Sequence, residues 1–122
     1  MELNTKKYVG KRFSGGAYID SQFNEFFIDF KKDIKNMMKD TDWGISKWIK
    51  GHYFVSGFAY NKRYKEYAYF SVSDVRFFQD EWYNDVLVRR VKDGEDFIGG
   101  MNTYSPLSSL TKALDNTLKG VV

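Results

Sequence analysis

The sequence predicts an α+β fold: an antiparallel sheet of three to four strands with two helices packed on one face, in the chain order α-β-β-β-α. Three observations carry this expectation. Phe23, Phe26, Phe27, Phe30, Ile34, Met37 and Met38 recur at the period of one helical face. Two alternating runs, 52–60 and 64–73, flank the polar and basic Asn61–Lys62–Arg63, as the strands of a hairpin flank its turn. Near the C-terminus, Ser105–Pro106 precedes Leu107, Leu110, Leu114 and Leu118 at helical spacing.

In order along the chain, residues 1–19 read as irregular, with a short strand near Lys7–Val9, and Gly15–Gly16 breaks structure ahead of the first helix. Asp20 or Ser21 caps that helix. Its far side carries Glu25, Asp29, Lys32, Asp33 and Asn36, read as solvated. Residues 40–51, with Trp43, Ile45, Trp48 and Ile49, read as a short strand or an ordered loop.

In the hairpin, Tyr53, Val55, Gly57 and Ala59 share one face, and His52, Phe54, Ser56, Phe58 and Tyr60 the other. Across the turn, Glu66, Ala68, Phe70 and Val72 oppose Lys65, Tyr67, Tyr69, Ser71 and Ser73. The face with Tyr67, Tyr69 and the serines is the more polar and is expected outside, as an open sheet surface. Gly57 marks a bulge or a close approach to the backbone.

Asp74–Phe78 continues or bends the strand, Gln79–Trp82 turns, and Val86–Val91 forms the next strand, ended by Asp93–Gly94. Residues 95–104 read as a loop with Gly99–Gly100. In the last helix Ser105 is the expected cap, Pro106 the first helical residue and Gly120 the stop. Residues 1–122 form one domain with no repeat and no linker.

Composition narrows the function. The chain has 11 Phe, 9 Tyr and 3 Trp in 122 residues, with one proline and no cysteine. So many rings exceed what a small core holds, and rings at a surface supply contact area at low entropic cost. The absence of cysteine excludes disulfides and thiolate metal sites. MELNTKKYVGKRF lacks the apolar stretch of a secretory signal, and no apolar run reaches membrane-spanning length. A cytoplasmic location without membrane partners is expected. Residues 1–65 carry 13 Lys/Arg against 7 Asp/Glu, while residues 66–122 carry 6 against 9, an asymmetry able to steer a charged partner.

Signs of chemistry are few. His52 is the only histidine, and no spacing pairs it with an orienting group. No HExxH, GxSxG, Walker A or GxGxxG pattern occurs. Asp74, Asp80, Glu81, Asp85, Asp93, Glu95 and Asp96 are spaced unlike any calcium loop and read as solvated turn charges. The expectation is a binding protein that is not an enzyme, with no cofactor and no metal.

Three modes of binding follow from the residues. The α-β-β-β-α order is similar to that of double-stranded-RNA-binding domains, which would place Lys62, Arg63 and Lys65 in a strand-connecting loop. That family opens its last helix with a lysine cluster, whereas TYSPLSSLTK holds only Lys112. Single-stranded nucleic acid suits the local pattern better, with Tyr60, Tyr64, Tyr67 and Tyr69 near Lys62, Arg63 and Lys65. A homo-oligomer joined through the aromatic sheet face or a strand edge is a third mode.

The stretch SVSDVRFFQDEWYNDVLVRRVKDGEDFIGGMNTYSPLSSL resembles segments of small phage or mobile-element proteins. With the size, the lack of cysteine and the richness in Lys, Asn, Asp and Tyr, the chain looks like single-domain inhibitors of the anti-CRISPR type. The resemblance implies a monomer or homodimer in the host cytoplasm that blocks a bacterial effector protein or nucleoprotein complex by occupying its surface. On that reading Tyr67, Tyr69, Arg76, Phe78, Trp82, Tyr83, Arg89 and Arg90 are the expected contacts, since Trp, Tyr and Arg dominate interface energetics.

Overall fold

The computed structural model describes residues 3–8, 20–51, 54–72 and 86–119, with backbone alone for 7, 8 and 20–23. After a 3-10 turn at Asn4–Tyr8 the elements are α1 (Asp20–Met38), β1 (Trp43–Lys50), β2 (Val55–Asn61), β3 (Glu66–Val72), β4 (Val86–Val91), β5 (Thr103–Ser105) and, after a second 3-10 turn at Leu107–Ser109, α2 (Leu110–Asn116). The strands form one antiparallel sheet in sequence order, β1-β2-β3-β4-β5. The architecture is α+β, and the sheet has five strands where three to four were expected.

The helix stripe folds as its period dictates. Phe26, Phe30, Ile34 and Met38, four residues apart, are buried, with Phe27 and Met37 on the flanks. They share one core with Val55, Ala59, Ala68, Phe70, Val72, Val86 and Val88 of the sheet and Leu110 and Leu114 of α2. Its centre is aromatic. Phe26 and Phe30 stack at 5.6 Å, and Trp48 meets Phe30 edge-on at 6.0 Å and Phe70 at 5.7 Å.

Of residues 40–51, read as a short strand or an ordered loop, the strand is what forms, and β5 is a further strand that was not expected. In β1 the register shifts between Ile45 and Lys47, which leaves Ser46 as a bulge. An extra residue inverts the alternation, so Trp43, Ile45 and Trp48 all turn toward the core although their spacing breaks period two. Strand β5 is only three residues long and pairs Thr103–Ser105 with Val86–Val88. Ser105 is therefore a strand residue, and its hydroxyl bonds the Pro106 carbonyl rather than capping a helix N–H. Pro106 is extended at ψ 146°, and the α-helical turns begin at Leu110.

Two further expectations change. Lys7 and Tyr8, expected in a short strand with Val9, belong to the 3-10 turn instead, and Val9 lies outside the described residues. Asp33, expected in solvent, is 1% exposed. Its Oδ1 accepts from the Asn4 backbone N–H at 2.7 Å and from Asn4 Nδ2 at 2.9 Å. Its Oδ2 accepts from the Thr5 backbone N–H at 2.9 Å and the Thr5 hydroxyl at 2.7 Å. The carboxylate thus caps the N-terminal 3-10 turn and ties it to α1, which satisfies donors that a turn of this kind leaves orphaned.

Gly57 shows the close approach and not the bulge. A Cβ there would lie 2.8 Å from the Phe70 ring and 2.9 Å from the Lys47 carbonyl oxygen. At the hairpin tip, Asn61 Oδ1 accepts from the N–H groups of Arg63 and Tyr64 at 3.1 and 2.9 Å, and Lys65 closes the turn at φ 56°.

Candidate functional site

The outer sheet face carries Ser56, Phe58 and Tyr60 of β2, Tyr67, Tyr69 and Ser71 of β3 and Leu87, Arg89 and Val91 of β4. It lies opposite the helices, as its polarity predicts, but it is not open. The segment between β4 and β5 folds back across it. Phe97 packs edge-on against Phe58 at 5.1 Å and reaches Tyr69 at 6.0 Å, and Gly94 lies against Tyr67. Phe58 is fully buried in consequence, and Tyr67 and Tyr69 are half-buried.

Polar groups hold this loop in place. Asp96 accepts from the backbone N–H groups of Lys92 at 3.2 Å, Ile98 at 3.2 Å and Gly99 at 2.8 Å. Those bonds, first the one from Lys92, hold its carboxyl below the ordinary aspartate range. Asp93 makes a smaller turn of the same kind, accepting from the Glu95 N–H at 2.9 Å. Gly99 sits where any Cβ would strike the Asp96 carboxylate. Gly100, at φ 87°, passes so close to the Arg90 carbonyl that only a residue without a side chain fits. The Gly–Gly pair is thus what lets the loop return against β4.

Arg89 is the central pin. Its guanidinium lies over the Tyr69 ring, 4.7 Å from the centroid. It donates to Asn102 Oδ1 at 3.2 Å and to the Phe97 carbonyl. Its Nε is buried without a partner, so this anchorage carries a desolvation cost. At the opposite rim, Lys47 pairs with Glu95 at 3.1 Å.

A loop fastened in this way presents apolar side chains to solvent. Ile98 is 92% exposed, Met101 82% and Tyr104 60%. Isolated exposed apolar residues are ordinary, but these share one short segment, next to a half-exposed Phe97, and point outward from a fixed backbone. Ile98 and Met101 were not among the expected contacts. Their signal in the sequence is FIGGM, apolar residues flanking a Gly–Gly pair inside an otherwise charged turn.

The expected contact residues divide into groups. Tyr67, Tyr69 and Arg89 come together under and beside the loop, where they support it. Arg90 lies on the helix side of β4, exposed, 3.4 Å from Glu66. Arg76, Phe78, Trp82 and Tyr83 lie outside the described residues, as do His52, Asp74, Asp80, Glu81 and Asp85.

The hairpin set is split between faces. Tyr60 meets Tyr67 at 4.8 Å on the outer side. Tyr64 packs against the helix-side core, with Arg63 over its ring at 5.2 Å. Lys62, Arg63 and Lys65 are exposed at the tip. Beside Tyr64 a small cleft of about 260 Å³ is walled by Asp42 and Asp115, the latter accepting from Trp43 Nε1 at 2.8 Å. Among the described residues no group of three or more His, Asp or Glu is placed to hold a metal, and no helix is long and apolar enough to cross a membrane.

Comparison of the chain with family models, with characterised proteins and with solved structures returns no match. The functional reading therefore rests on geometry.

Proposed function

We propose that this chain is a non-enzymatic binding domain that occupies a surface of a bacterial effector protein or nucleoprotein complex in the host cytoplasm, in the manner of small anti-CRISPR-type inhibitors. The observation that carries the reading is the pair Ile98 and Met101, held outward on a loop whose backbone is fastened by Arg89, Asp96 and Gly100. An apolar tip that is already ordered loses little conformational entropy on docking, so more of its burial appears as affinity. Tyr104 extends the patch, and the exposed Lys92, Asp93 and Glu95 of the same loop supply charges of both signs. The partner it fits is a protein surface with an apolar pocket ringed by charges. Nucleic-acid binding through the hairpin has less support, because Tyr64 faces the core while Tyr60 and Tyr67 face the other way.

The test is a pull-down from nuclease-treated bacterial lysate, run in parallel with the intact chain and an Ile98→Asp/Met101→Asp double variant checked for folding by circular dichroism. A protein retained at high salt by the intact chain and lost by the double variant is expected. Loss of apolar hot-spot residues of this kind weakens binding by roughly thirtyfold or more. Equal retention by both forms, or retention abolished by nuclease, overturns the reading. A concentration-dependent dimer of the isolated chain that the double variant lacks would reassign the patch to self-association.

A further inference from the structure

A second surface lies on the other side of the molecule, where α1 overhangs the β1 edge. The two elements enclose an open groove of about 830 Å³. One wall carries Lys31, Lys32, Lys35 and Lys39, and the floor is Trp43, Gly44 and Trp48. We infer that this groove binds the sugar–phosphate backbone of a single-stranded nucleic acid.

The charge pattern is the first argument. Lys31, Lys35 and Lys39 stand four residues apart, the last just past the end of α1, so successive backbone positions rise about 6 Å along the helix axis. That spacing is comparable to the separation of successive phosphates in an extended strand. Lys31 and Lys35 have no acidic residue three or four positions away, Lys39 has only Asp42 beyond the helix end, and each adjacent pair repels at i, i+4. Among the described residues none of the four lysines forms an ion pair; Lys31 lies over the Phe27 ring at 4.4 Å. The helix dipole accounts for Lys35 and Lys39 at the C-terminal turn, but it fades before Lys31 and Lys32. A column of uncompensated cations along a groove is the electrostatic half of a single-strand site.

The floor supplies the other half. Trp48 is half-buried, wedged edge-on against Phe27 at 6.0 Å and against Phe30 and Phe70, so the exposed part of its indole is held rigidly for stacking. An acidic peptide added as a strand is the competing occupant, because β1 is an edge strand. The bulge at Ser46 and the lysines Lys47 and Lys50 are devices that discourage strand addition. The observations therefore favour a polyanion without strand-pairing groups.

The experiment is a titration of the intact chain with fluorescein-labelled oligothymidylate about 15 nucleotides long, read by anisotropy and by tryptophan quenching. Micromolar binding at low salt is expected, with a log–log salt slope of about −2 to −3 for three or four phosphates. Lys31→Glu/Lys35→Glu should weaken it at least tenfold, while the hairpin pair Lys62→Glu/Arg63→Glu leaves it within twofold. No binding at low salt overturns the inference, as does equal loss in the hairpin pair. Displacement by polyglutamate at equal charge also overturns it, and makes the occupant an acidic protein segment. The loop variants Ile98→Asp/Met101→Asp leave this titration unchanged, so the two surfaces fail or succeed separately.

Discussion

On the helix side of the sheet, Phe26, Phe30, Ile34 and Leu114 are fully buried against Val55, Phe70 and Val88. On the outer side Phe58 and Tyr69 are covered by one loop, which is held by Arg89, Asp96 and two glycines. Both layers shelter rings from water, but by different means. The helix side does so with apolar volume, which is non-directional and leaves little exposed. The outer side relies on a few directed hydrogen bonds, which fix a backbone without burying every side chain it carries. That is why the most exposed apolar side chains, Ile98 and Met101, stand on the second layer, whereas Ile28 on α1 is half-exposed.

The comparison breaks most sharply at Phe30. Phe30→Ala removes a fully buried ring that contacts Phe26, Trp48 and Phe70. It should cost about 3–5 kcal/mol in urea unfolding. Asp33→Ala leaves the N–H groups of Asn4 and Thr5 without acceptors and should cost about 2–4 kcal/mol, the one large polar effect on the helix side. Gly100→Ala acts on the loop. With φ at 87° and the Arg90 carbonyl in the way, the loop must shift, at about 1–3 kcal/mol. Amide exchange across 92–102 should accelerate far more than in β2 or β3, and equal acceleration throughout would mean the two layers do not open independently.

Acid provides a finer separation. The folded-state pKa of Asp96 lies below its ordinary value because backbone N–H groups stabilise the carboxylate. Its contribution is therefore present above the unfolded value, near pH 4, and disappears as pH falls through the lower folded value. The amide resonances of Ile98 and Gly99 should report that midpoint in an NMR titration, and Asp96→Asn should abolish it. The smallest effect is expected from Lys47→Ala. The Lys47–Glu95 pair is largely solvent-exposed, so its loss should cost less than about 0.5 kcal/mol and fade with added salt.

What was legible in the sequence is the set of elements whose pattern is local. The α1 stripe, the hairpin with its face assignment, and Val86–Val91 as a strand all follow from one period read within one segment. The elements that stayed ambiguous or escaped depend on a partner. β1 breaks period two at Ser46 and becomes regular only against β2. Three residues of β5 carry no period at all and are a strand only beside β4. Asp33 looks like any helix-surface carboxylate until Asn4 and Thr5 fold onto it. Of the candidate site, Tyr67, Tyr69 and Arg89 were singled out as contact residues, but their place is beneath the loop. Ile98 and Met101 at its tip were not.

By itself, then, the sequence determined the fold class, the helix-side core and the outward face of the aromatic hairpin, because periodic burial of apolar side chains is encoded residue by residue. Only the tertiary structure decided what covers that face, which apolar side chains remain in water, and which lysines line a common groove. Those are matters of hydrogen bonds and juxtapositions between residues distant in the chain, and no local period records them.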